Sequence, residues 1–111
     1  MNRKKLKAKI SEFPTTPGVY LMKDAKGVVI YVGKAKSLRS RVSSYFQDSP
    51  GGRSAPSDTR AKVGIMVPQI SDVEYVEAES EVDALLMEAR LIKDIQPKYN
   101  ENLRDSSNVV P

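Results

Sequence analysis

The stretch Gly18-Val19-Tyr20-Leu21-Met22-Lys23-Asp24-Ala25-Lys26-Gly27-Val28-Val29-Ile30-Tyr31-Val32-Gly33 decides the fold. Two runs rich in valine, isoleucine and tyrosine flank a polar Asp-Ala-Lys-Gly segment. That pattern predicts a β-hairpin with strands over 18–23 and 28–33. If Lys23 pairs with Val28, Tyr20 falls directly opposite Tyr31 on one face of the sheet. A one-residue bulge at Gly27 would instead put the two phenols on opposite faces. Side by side, with a basic helix just downstream, the phenols suggest a reaction site. The alternative is plain packing, because aromatic residues suit strands in any case.

Outward from the hairpin, residues 3–13 carry Leu6, Ile10 and Phe13 at i, i+4 and i+7, which predicts a short basic helix ended by Pro14 and Pro17. Residues 37–47 predict a second helix with Leu38, Val42, Tyr45 and Phe46 as its apolar stripe. Residues 47–58 are rich in Gly, Pro and Ser and predict a mobile loop. Residues 59–70 read as a helix interrupted by Gly64 and Pro68, and 73–78 alternate as a half-wet strand. Ser80, with Asp83 three residues on, opens a long helix that runs to about Gln96 and is stopped by Pro97. The expected fold is α+β: one domain over 1–111, with a small three-stranded antiparallel sheet flanked by helices.

A chain of 111 residues holds one hydrophobic core. Its 40% hydrophobic and 29% charged content is that of a soluble globular protein. No apolar run reaches the roughly 20 residues of a membrane span, and the N-terminus lacks a signal-peptide pattern. There are no cysteines and no histidines. That excludes disulfides, thiolate or imidazole zinc sites, and Ser-His-Asp or Cys-His catalysis. The charge is lopsided: residues 1–62 hold 14 Lys/Arg against 4 Asp/Glu, and residues 63–111 hold 4 against 10. A basic half of this kind suits a polyanion such as nucleic acid; a solvated surface is the alternative.

Glu88 is the anomalous acid. On a helix its neighbours are Ala84, Leu85, Leu91 and Ile92, so a carboxylate projects from an apolar stripe. A carboxylate so placed needs a partner, either a divalent cation or an arginine. Arg41 flanks the stripe of the second helix and suits charge developing on a phosphate. Arg39, Lys36 and the N-terminal lysines suit backbone phosphates. Lys34, just after Gly33, is placed to lower the pKa of Tyr31, which matters because a phenol near pKa 10 is a poor base at neutral pH.

Gly18-Val19-Tyr20 and Tyr31-Val32-Gly33, followed by Lys34-Ala35-Lys36 and Arg41, resemble the GIY-YIG nuclease domain. Val82-Asp83-Ala84-Leu85-Leu86-Met87-Glu88-Ala89, Leu91-Ile92-Lys93 and Pro97-Lys98-Tyr99-Asn100 are similar to the N-terminal module of the UvrC family of bacterial excision-repair proteins. The likeness covers residues 10–103 and leaves 104–111 as an unmatched tail. It implies a metal-dependent endonuclease that hydrolyses a phosphodiester 3′ of a lesion in nucleotide excision repair. Tyr31 would be the general base, and Glu88 the metal ligand, for Mg²⁺ or Mn²⁺. Arg41 would stabilise the transition-state phosphate. Tyr20, Lys34 and Tyr45 would orient the nucleophile and its base, and Asn100 would support the site. Lys34, Lys36 and Arg39 would bind DNA. The resemblance further implies a cytoplasmic protein working on DNA with a UvrB-like repair partner, this chain being an excised or truncated module. Arg90 stands where such modules usually have Asn. The alternatives are a nucleic-acid-binding module without activity, and a GIY-YIG endonuclease acting outside repair.

Overall fold

The computed structural model describes residues 2–46 and 64–100. The loop expected over 47–58, the start of the helix expected from residue 59, and the tail beyond residue 100 lie outside them. Helix α1 spans Arg3–Ser11, β1 spans Gly18–Lys23, β2 spans Val29–Ala35, α2 spans Leu38–Ser44, β3 spans Asp72–Glu77 and α3 spans Glu81–Ile95. The three strands form one antiparallel sheet in the order β2-β1-β3, so β2 and β3 are its edges. Of the interrupted helix expected over 59–70, the described part is helical at 64–66, Gly64 included, and passes into a 3-10 turn at Val67–Gln69. Pro68 cannot donate a helical hydrogen bond, which accounts for the change. Among the described residues no helix is long and apolar enough to cross a membrane.

The hairpin keeps its tyrosines on one face by a different register from the expected one. Asp24 starts the turn: its side chain accepts from the Lys26 and Val28 amides at 2.9 and 3.0 Å, while Gly27 adopts φ +83°. The Asp24 amide donates to the Val28 carbonyl at 2.9 Å, and Lys23 pairs with Val29 rather than Val28. A second irregularity follows between Lys23 and Met22, where Ile30 is the extra residue, and Met22 then pairs with Tyr31. Tyr20 therefore faces Gly33, not Tyr31. Strand side chains alternate with period 2, so two one-residue shifts cancel and both phenols return to the same face.

That face holds Tyr20, Met22, Tyr31, Val73 and Tyr75, and α1 and α2 cover it. Leu6, Ile10 and Phe13 of the α1 region and Leu38 and Val42 of α2 are buried there, and the Phe13 ring lies 4.6 Å from that of Tyr75. Each such side chain contributes about 1.5–3 kcal/mol by leaving water. The opposite face presents Val19, Leu21, Val32 and Lys34, and α3 lies against β1 and β2 with Ala84 buried. Helix ends are satisfied locally. Asn2 and Ser80 accept from the Lys5 and Asp83 amides, and the first amides of α2 donate to the Thr16 and Pro14 carbonyls.

Helix α3 ends on Gln96, held left-handed at φ 52°, ψ 60°. That conformation costs a residue with a Cβ about 1–2 kcal/mol, against a smaller entropic cost for glycine in the unfolded chain. Gln96→Gly is expected to stabilise the fold by about 0.5–1 kcal/mol in urea titration; an unchanged or lower midpoint would contradict it.

Candidate active site

Three phenols and one guanidinium meet at the end of α2. Tyr20 is buried on β1, and its hydroxyl lies 2.9 Å from that of Tyr45, the C-terminal cap of α2. Tyr31 adjoins this pair, close enough for Tyr45 to raise its pKa. The Tyr20 ring is 6.3 Å from that of Tyr31 and 5.9 Å from that of Tyr45. Arg41, in the last turn of α2, lies 5.7 Å from the centre of the Tyr45 ring, and its charge acts on both Tyr20 and Tyr31. The second motif needs its glycine for room. A Cβ on Gly33 would overlap the ring and hydroxyl of Tyr20. Gly33→Ala is expected to destabilise by about 1–3 kcal/mol and to displace Tyr20. A wild-type melting temperature for that variant would refute the close fit.

The open edge of β2 brings in the remaining groups. Val32 donates its amide to Asn100 Oδ1 at 2.7 Å, and its carbonyl accepts from Asn100 Nδ2 at 2.9 Å. Asn100 is buried and occupies the helical turn after Pro97, so its carboxamide acts as a one-residue strand beside Tyr31. Two residues on along the same edge comes Lys34, whose charge and amide both act on the Glu88 carboxylate. Glu88 is half-buried in the stripe of α3 that faces the sheet. Ala84, Leu91 and Ile92 flank it as expected, but Leu85 is 48% exposed and does not belong to that stripe.

Electrostatics tie the acid to the phenols. Burial raises the Glu88 pKa, against the Lys34 charge and amide, which lower it. Burial also makes Tyr31 a weaker acid than free tyrosine; Tyr45 and the Glu88 charge push the same way, and Arg41 opposes them. Tyr20 is raised for the same first reason. At Tyr31 the cation that opposes burial is Arg41, while the charge of Lys34, expected to act on Tyr31, acts on Glu88. No described side-chain cation lies within ion-pair distance of Glu88; Lys34 acts on it only from beyond that distance, and no described arginine pairs with it. A half-buried, under-neutralised carboxylate fits a cation, and one ligand is all these residues offer. Among the described residues no three acidic side chains cluster as a metal cage.

The structure places Tyr20, Tyr31, Tyr45, Arg41, Lys34, Glu88 and Asn100 in one region, around the β2 edge and the end of α2. Arg39 is different. It lies two residues from Arg41 on α2, and its Nε donates to the Phe13 carbonyl at 2.8 Å, holding the chain between α1 and β1. Arg39 thus carries a structural bond through Nε while the residue as a whole stays exposed. Lys34 and Lys36 remain exposed. What sequence reasoning missed are the amides of Val32 and Lys34, because backbone donors leave no trace in residue identity. The signal available was the edge position of a strand, which always leaves such donors to be satisfied.

A family model described as the UvrC-like GIY-YIG domain matches residues 16–101. The chain belongs to the UvrC-like GIY-YIG domain family. UvrABC system protein C of Caldicellulosiruptor saccharolyticus is 50% identical over 103 residues, covering 93% of this chain and 16% of that protein. Its counterpart in Methanococcoides burtonii is 53% identical over 96 residues, covering 86% and 15%. The chain therefore spans about one-sixth of the curated relatives it matches. The GIY-YIG N-terminal endonuclease domain of UvrC from Thermotoga maritima, solved bound to its catalytic magnesium, superposes with a TM-score of 0.68 at 35% identity, covering 89% of this chain and 98% of that one. Tyrosine-to-phenylalanine variants of that domain were also solved with the cation bound. The GIY-YIG fold of the T. maritima domain and the sheet with flanking helices seen here are the same architecture.

Proposed function

We propose that this GIY-YIG domain is a divalent-metal-dependent DNA endonuclease, the part of a UvrC-type protein that hydrolyses the phosphodiester on the 3′ side of a lesion. The observation that carries this reading is the meeting of Glu88, which no described cation ion-pairs, with the Tyr31–Tyr45–Tyr20–Arg41 cluster at one edge of the sheet. Glu88 would hold Mg²⁺ or Mn²⁺. The cation, when bound, supplies Lewis-acid polarisation of the phosphoryl group and acidifies nearby water.

The protein's own groups then divide the work. Tyr31 Oη is the general base that takes the proton of the attacking water. Tyr45 and Tyr20 fix the position of that oxygen through their shared hydroxyl chain. Arg41, whose guanidinium is charged at every relevant pH, stabilises the anionic phosphate as bonds change. Lys34 and Lys36 receive the flanking phosphates, and Asn100 holds β2 so that Tyr31 keeps its place. Neutralising Glu88 also removes the charge that now discourages a Tyr31 phenolate, so metal and base act together. The protein would work in the cytoplasm with a UvrB-like partner that supplies the damaged substrate.

Supercoiled plasmid incubated with the chain and Mn²⁺ or Mg²⁺ tests the reading. Conversion to the nicked form, stopped by chelation, is the expected result. Binding without cleavage under either metal, with a UvrB-type partner present, would overturn it.

A further inference from the structure

Helix α1 carries five cations in seven positions, Arg3, Lys4, Lys5, Lys7 and Lys9, and no acid. The cations near its two ends are committed to the fold. Arg3 donates to the Val67 carbonyl at 3.1 Å and lies 5.0 Å from the centre of the Phe46 ring. Lys9 Nζ lies 2.7 Å from both Asp72 and Glu74 on edge strand β3. With Leu6 and Ile10 buried, these two anchors fix how the helix is turned, and Lys4 and Lys5 are left exposed.

The position of this face matters. Phe46, under Arg3, immediately follows Tyr45, whose hydroxyl is 2.9 Å from that of Tyr20 in the site. The first turn of α1 thus stands beside the phenol cluster, across the end of α2. Of the acids on β3, Asp72 and Glu74 lie against Lys9 of α1 and are paired with it, while Glu77, Glu79, Glu81 and Asp83 follow at the other end of the strand and the start of α3. A polyanion approaching the site is attracted on the α1 side and repelled on the other.

We propose that Lys4 and Lys5, on the exposed face of α1, form a docking surface for the phosphate backbone of the DNA duplex as it leaves the active site. The proposal rests on the nuclease reading above, since it takes DNA as the substrate. Such contacts position a duplex without reading its bases, as suits a module that cuts at a distance from whatever defines the lesion.

The test is the salt dependence of binding. The full chain and its K4Q/K5Q variant are titrated into a fluorescein-labelled duplex in EDTA, between about 50 and 200 mM salt. Each lost phosphate contact lowers the slope of log K against log salt by about 0.9. The variant is expected to bind more weakly, with a slope shallower by about 1–2, an unchanged melting temperature, and recovery in K4R/K5R. Equal slopes and affinities for wild type and K4Q/K5Q would overturn the docking surface, while metal-dependent plasmid nicking would still uphold the nuclease reading. A wild-type chain that neither binds nor nicks duplex would overturn both.

Discussion

Glu88→Ala is expected to lose metal-dependent DNA cleavage by about 10³-fold or more, since a metal's charge stabilisation is worth several kcal/mol at about 1.4 kcal/mol per decade. The same substitution should leave the metal-free fold at least as stable as wild type. Burial raises the Glu88 pKa and outweighs the opposing charge and amide of Lys34, so the ionised group is a local cost. The decisive measurement needs no catalysis. Wild-type protein should melt higher as Mg²⁺ or Mn²⁺ is added, because a ligand bound only to the folded state stabilises it. Glu88→Gln, close in shape but uncharged, should melt at one temperature regardless of metal. A metal-dependent rise that survives in Glu88→Gln would remove Glu88 from the cation site.

Tyr31→Phe is expected to reduce cleavage by about 10²–10⁴-fold, the usual range for losing a general base. The ring stays, so packing against Tyr20 and attachment of β2 through Val32 and Asn100 should persist. Metal-dependent melting should persist too, which separates this variant from Glu88→Gln. The pH profile makes the test sharper. Burial, Tyr45 and Glu88 hold the Tyr31 proton above its ordinary affinity. The competent phenolate therefore grows with rising pH throughout the neutral range, by up to tenfold per unit, and wild-type cleavage should climb with it. Tyr31→Phe should lose that climb along with the rate. Cleavage that keeps both its size and its pH dependence in the variant would assign the base elsewhere.

The hairpin motifs were readable because strand alternation and turn chemistry are local. Gly18–Lys23 emerged with its expected bounds, and β2 lay one residue later at its start and two later at its end. The register was not readable. It depends on two small shifts, one at the Gly27 turn and one at Ile30, and each depends on how the strand settles against the core. Glu88 stood out because helical periodicity set it among apolar neighbours. That Leu85 would face solvent could not be known before α3 was laid across β1 and β2. Arg39 and Arg41 looked alike as residues. Only the folded chain turned one toward the Phe13 carbonyl and the other toward Tyr20.

Residue order alone determined the kinds of elements, the absence of histidine and cysteine chemistry, and the short inventory of groups able to handle a phosphate. Those follow from period, propensity and functional-group content, which need no distant partner. Tertiary structure decided that burial weakens Tyr31 as an acid, that the Lys34 charge acts on Glu88, and that the β2 edge is capped by Asn100. A pKa or an edge hydrogen bond depends on which groups arrive from elsewhere in the chain and how much water they displace, and that is fixed only once the layers close.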